Sequence, residues 1–253
     1  MKRAFDWKRF ILDAAPVAAF TGAICVVIIL LSLLGADGTY FVFRGDAANA
    51  AAASAAFAAV RTTDRFDWTF IALFAVVVYI YATELKHKNY KGVVAALSLY
   101  GVHWLYEIGN AVIGSASGYA LWTVSPESTS FILLVGVSWE LSMMFSIAGL
   151  AMSKLLPDDP KKRILGMNNR ILFAIGNAAF FAVFEIFLAG TPAFRWVYPW
   201  WGALPVFLTT YIPFFLAAFL MHDAAPKTQK RFLLAVWGAV AVLLLVLIPL
   251  GII

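Results

Sequence analysis

Three carboxylates in apolar surroundings, Glu107, Glu140 and Glu185, carry the chemistry legible in this sequence, with His103 one helical turn from the first of them. Tyr100, His103, Glu107, Asn110 and Gly114 follow a three-four spacing, which stacks them on one face of a helix. An ionisable side chain at membrane depth is costly to hold there and by default marks a functional site. No Lys or Arg falls in the middle of any apolar run, and three carboxylates cannot all stay ionised in such a place without partners. Three kinds of chemistry follow: protonated acids, ligands of a metal or other cation, or stations on a wet proton path.

The elements that must position these groups follow from composition. Of 253 residues, 63% are hydrophobic, 16% aromatic and only 13% charged, far from an ordinary soluble domain. The chain reads as all-α and polytopic, a single integral membrane domain of seven helices. The apolar runs lie near 14–35, 67–85, 92–114, 129–153, 170–190, 201–222 and 231–252, each long enough for about 30 Å of hydrocarbon. The first run is longer than a signal-peptide core and is read as a retained anchor. The connection 36–66 is the only long one, and its alanine-rich middle, 47–60, predicts a short helix that could lie over the bundle as a lid.

Charge sets the orientation. Fifteen of the 19 Lys and Arg residues flank the ends that would lie on one side: before the first run, between the second and third, the fourth and fifth, and the sixth and seventh. Arg44, Arg61, Arg65 and Arg195 are left for the other. The N-terminus is therefore expected in the cytoplasm and the C-terminus outside, in the inner (plasma) membrane. The net charge of +5 is this pattern, so nucleic acid is not a partner; membrane lipids and an apolar small molecule are. The last run has no lysine after Arg231 to hold retinal, and the single Cys25 allows no intramolecular disulfide. Glu84, His87 and His222 are read as interfacial, as is the aromatic cluster of 191–202.

Counting from the helix ends places His103 and Glu140 near the midplane and Glu107 and Glu185 in the outer third, about 22 to 24 Å from the inner side. One cavity in the outer half of the bundle could take all four. Tyr100, Asn110, Trp139, Asn177 and Tyr211 are candidate substrate-binding residues around it, and Pro213 would free a backbone carbonyl nearby.

The favoured chemistry is acid catalysis on an isoprenoid or other lipid, which needs no cofactor. A carboxylic acid kept neutral by an apolar pocket protonates an alkene or epoxide, and aromatic faces stabilise the cation. Glu107 or Glu140 would donate and Glu185 or His103 accept. In the alternative, His103, Glu107, Glu140 and Glu185 form an oxygen-rich site for iron, manganese or zinc. Further alternatives are a proton- or cation-coupled transporter using the carboxylates as relays, or a scaffold subunit of a homo- or hetero-oligomeric complex.

His103-x-x-x-Glu107 in one span with Glu140 in the next resembles the acid arrangement of emopamil-binding-type sterol isomerases. The Trp139-Glu140 pair in a small seven-helix chain is similar to membrane-integral terpene cyclases. Both resemblances imply that a membrane-buried carboxylate, Glu107 or Glu140, handles a proton in isomerisation or cyclisation.

Overall fold

The computed structural model describes residues 47–63, 67–68, 70–164 and 166–253; the expected first span lies outside them. Seven helices follow in chain order among the described residues: α1 (Ala47–Ala59), α2 (Phe70–Lys86), α3 (Tyr90–Ser117), α4 (Trp139–Ser153), α5 (Asn169–Ala189), α6 (Ala203–Asp223) and α7 (Pro226–Leu247). Between them lie three short antiparallel pairs: β1 (Trp122–Val124) with β6 (Phe194–Trp196), β2 (Ile132–Leu134) with β3 (Val137–Ser138), and β4 (Arg163–Ile164) with β5 (Met167–Asn168). The chain is thus mostly helical rather than wholly so.

Seven spans are not supported. Among the described residues three helices, α5, α6 and α7, are long and apolar enough to cross a membrane. α2 and α4, at 17 and 15 residues, are short for the purpose. α3 has the length, 28 residues, but the polar stripe through His103, Glu107 and Asn110 lowers its hydropathy. The helix expected over 129–153 begins only at Trp139. The run before it is apolar but β-branched and holds Gly136, and an apolar run of that length cannot be told from a buried strand by periodicity. It folds back as the β2–β3 hairpin, and Ser138, whose side chain accepts from the Leu141 N–H at 3.4 Å, caps the helix that follows.

α3 is the axis of the bundle, packed against α4, α6 and α7. Its contact with α4 is close enough that a Cβ on Gly149 would come within 2.5 Å of the Ala95 carbonyl oxygen. α5 and α6 close the other side through Phe181, Phe215 and Phe219. α6 carries a π-helical turn at Phe207–Tyr211, a feature that widens a helix and is frequent at functional sites. Pro213 has no N–H to return to that turn. The Thr209 carbonyl accepts instead from the Tyr106 hydroxyl of α3, at 2.7 Å.

The alanine-rich segment is a helix, α1, with Ala53 and Ala56 fully buried against β1, β2 and β6. Its small side chains permit that close seating. At the opposite end the helix termini are tied by charge. Lys154 and Asn89 hold the Glu84 carboxylate between α2, α3 and α4. Arg170 is buried and donates through Nε to Asp223 (2.6 Å) and through Nη1 to the Pro157 carbonyl (2.7 Å) and to Asn169. His222, expected as a simple interfacial group, contacts the same Asp223 at 3.0 Å.

Candidate functional site

The helical period of α3 brings His103 and Glu107 onto its buried face, with His103 Nε2 3.3 Å from a Glu107 oxygen. At that angle no hydrogen bond forms, and neither ring nitrogen of His103 has one from any described protein group. The ring is held by stacking instead, 4.1 Å from the Phe145 ring and edge-on to Phe214. One turn on, Asn110 acts on backbone rather than at a substrate mouth. Its Oδ1 accepts from the N–H groups of Leu121 (2.7 Å) and Trp122 (3.3 Å), and its Nδ2 donates to the Trp122 carbonyl (2.9 Å). This clamp fixes β1 so that the Trp122 indole N–H reaches both oxygens of Glu107, at 3.2 and 3.3 Å.

Glu185 of α5 has a matching arrangement. It accepts from the Tyr211 hydroxyl at 2.6 Å and from the Trp196 indole N–H at 2.9 Å. Trp122 and Trp196 are cross-strand partners in the β1–β6 ladder. One two-stranded ribbon therefore supplies an indole donor to each carboxylate. Neither indole is legible in the sequence as a site residue: no pattern marks Trp122, and Trp196 falls within the aromatic cluster of 191–202 expected at the interface. The pairing depends on strands 72 residues apart, and only the density of tryptophan in both loops hinted at it.

Glu107 and Glu185 line one cavity of about 50 Å³, together with His103, Thr210 and Tyr211. Its remaining walls are mainly aromatic and aliphatic, with Trp122, Phe145, Phe181, Phe184 and Phe214 supplying the rings, and no Lys or Arg among the described residues lines it. Phe184 is 53% exposed, so the cavity wall is also part of the outer, apolar surface of α5. Gly136, in the β2–β3 turn, lies so close that a Cβ there would be 2.6 Å from Glu107 Oε2, 2.3 Å from the Trp122 indole nitrogen and 2.4 Å from Asn110 Nδ2.

The other expected site residues lie elsewhere. Glu140 is in the first turn of α4, not near a helix midpoint, because that helix starts at Trp139. Its Oε1 accepts from the Ser130 N–H at 2.8 Å and from the Ser130 hydroxyl, outside the cavity. Trp139 stacks on Phe70, Tyr100 shares a 2.6 Å hydrogen bond with Ser142, and Asn177 donates to the Phe173 carbonyl within its own helix. The four-residue ligand set is therefore not brought together. Among the described residues no three His, Cys, Asp or Glu side chains gather as a metal site would require.

A model described as "Uncharacterized membrane protein family" matches residues 50–249. A protein of Archaeoglobus fulgidus described as "Uncharacterized protein" is 43% identical over 175 residues, covering 68% of this chain and 83% of its own. No solved structure matches. The stretch matched by the family contains the whole cavity.

Proposed function

The chain belongs to that uncharacterized membrane protein family, and we propose that it is an intramembrane enzyme transferring a proton from a carboxylic acid to an isoprenoid or similar lipid. Glu107 is the donor, in protonated form, aimed by Trp122. Glu185, held by Tyr211 and Trp196, is the second carboxyl of the site. The observation that carries this reading is the pairing of two buried carboxyls with a wall of aromatic rings and, among the described residues, no Lys or Arg. A site for a stable anion would provide a cation; one for a transient carbocation needs negative ring faces. A metal-site or proton-path reading makes no use of those rings.

At about 50 Å³ the cavity is too small for a prenyl chain, so the substrate enters from the lipid side by displacing Phe184. By resemblance to terpene cyclases and sterol isomerases the proton could have come from Glu107 or Glu140; the reading assigns it to Glu107, because Ser130 holds Glu140 away from the cavity. In topology, α3 crosses as well, with its polar face turned inward against α4 and α6. The basic ends of α2, α5 and α7 face the cytoplasm in a multi-pass plasma-membrane protein.

The expected outcome is isotopic. Membranes from cells making the chain, supplied with farnesol, geranylgeraniol and squalene in D2O, should yield an isoprenoid with one new carbon-bound deuterium by mass spectrometry. Equal labelling in membranes lacking the chain contradicts the proposal.

A further inference from the structure

Two side chains in the cavity have polar atoms that the acid step alone does not use. His103 is 98% buried and Thr210 94% buried, by relative exposures of 2% and 6%, and both line the cavity with the two carboxyls. Both His103 nitrogens and the Thr210 hydroxyl lack a hydrogen-bond partner among the described protein groups. They project from different helices, α3 and the π turn of α6, so a single helix distortion does not explain both. Buried polar atoms are nearly always satisfied, and each left without a partner bears the full loss of its hydration. A hydrocarbon filling this space would leave all three unsatisfied. A hydroxyl oxygen, which donates once and accepts twice, can bond one imidazole nitrogen and the threonine hydroxyl together. The cavity, about 50 Å³, has room for at least one water, whose share of liquid volume is roughly 30 Å³.

We infer that His103 and Thr210 hold the oxygen of a water molecule or of a substrate alcohol, and that the reaction is addition of water to, or its loss from, an isoprenoid double bond. This rests on the proton-transfer reading and narrows it. In the forward direction the Glu107 carboxyl gives its proton to one alkene carbon, forming a C–H bond and leaving a carboxylate and a cation on the other carbon. A lone pair of the water held by Thr210 forms the C–O bond. The proton this oxygen sheds is taken at Nε2 of the neutral His103 ring and is returned from that nitrogen to the carboxylate, 3.3 Å away, once the ring turns to bring the two into line. Alkene and water become alcohol, with no change of oxidation state overall and with the acid regenerated. The reverse sequence removes water from the alcohol, so both sources of the hydroxyl are met by one site.

The test uses membranes containing the full chain, with squalene, farnesol and geranylgeraniol as probes in doubly labelled water, D2¹⁸O. An alcohol that gains one carbon-bound deuterium and one ¹⁸O in equal amounts is the expected result. Deuterium without ¹⁸O overturns the inference while leaving proton transfer intact, as an isomerisation or cyclisation. Neither isotope, with no loss of water from farnesol or geranylgeraniol either, overturns both. In Thr210→Val the ratio of ¹⁸O to deuterium should fall about tenfold, the effect of one hydrogen bond in the attacking step. Thr210→Ser should restore it, and a ratio unmoved by Thr210→Val removes Thr210 from the role.

Discussion

Gly136→Ala is expected to abolish proton transfer while Gly109→Ala leaves it intact. The added methyl at position 136 meets three groups at once, the Trp122 indole, the Asn110 amide and a Glu107 oxygen, all at 2.6 Å or less. None can retreat freely, because Asn110 makes three hydrogen bonds to the backbone of Leu121 and Trp122 and the indole is bonded to the carboxylate. Either Trp122 leaves Glu107 or the β2–β3 turn lifts off the cavity. Overpacking of this kind costs about 1–3 kcal/mol of stability. A displacement near 1 Å at a reacting group costs on the order of 100-fold in rate. Gly109 is one residue from Asn110 on α3, and a Cβ there meets nothing within 4 Å. Alanine there should add stability, by roughly 0.5–1 kcal/mol, through its better helix propensity. The check is deuterium incorporation beside a thermal melt in detergent. A fully active Gly136→Ala would mean that the turn does not position the acid.

Arg170→Ala should be the most destabilising single change away from the cavity. The guanidinium is 1% exposed and joins α5 to Asp223 at the end of α6 and to the loop at Pro157. Its removal leaves a largely buried carboxylate with His222 as its remaining described contact, and breaking such a pair costs about 3–5 kcal/mol. In a chain of this size that lowers Tm by roughly 10 °C. The double variant Arg170→Met with Asp223→Leu should recover most of the loss, because an apolar pair can replace a buried ion pair at little cost. Melting curves of the three proteins decide it. A single variant as stable as the parent would show that the pair bears no load. Arg170 and Glu185 are 15 residues apart on one helix, about 22 Å, so this anchor is separable from the chemistry.

These two cases also mark how far the sequence could be read. Helical periodicity was sufficient for His103 and Glu107, because a three-four spacing needs only one helix to become a shared face. Glu185 could be placed by depth alone, since α5 runs where the apolar run predicts it. Glu140 could not. Its position depends on where α4 begins, and the apolar residues 131–137 supply strands to a hairpin while looking like the start of a span. Asn110 reads as a polar group near a substrate because its true partners, the backbone at Leu121 and Trp122, are met only after the chain turns at the end of α3. The two indoles that orient the carboxyls depend on the long-range register of β1 with β6. The pairing of Arg170 with Asp223 was equally out of reach, for it joins the start of one helix to the end of the next. Polar residues bonded across the fold lack a local sequence signature; those sharing a helix face have one.

The most direct test of the account is which carboxyl delivers the proton. Glu107 and Glu140 are both buried or partly buried acids in apolar surroundings, yet only Glu107 lines the aromatic cavity. In membranes supplied with the isoprenoid probes in D2O, Glu107→Gln should lose carbon-bound deuterium to the level of membranes lacking the chain, and Glu140→Gln should retain it. Loss in Glu140→Gln together with retention in Glu107→Gln would contradict the account.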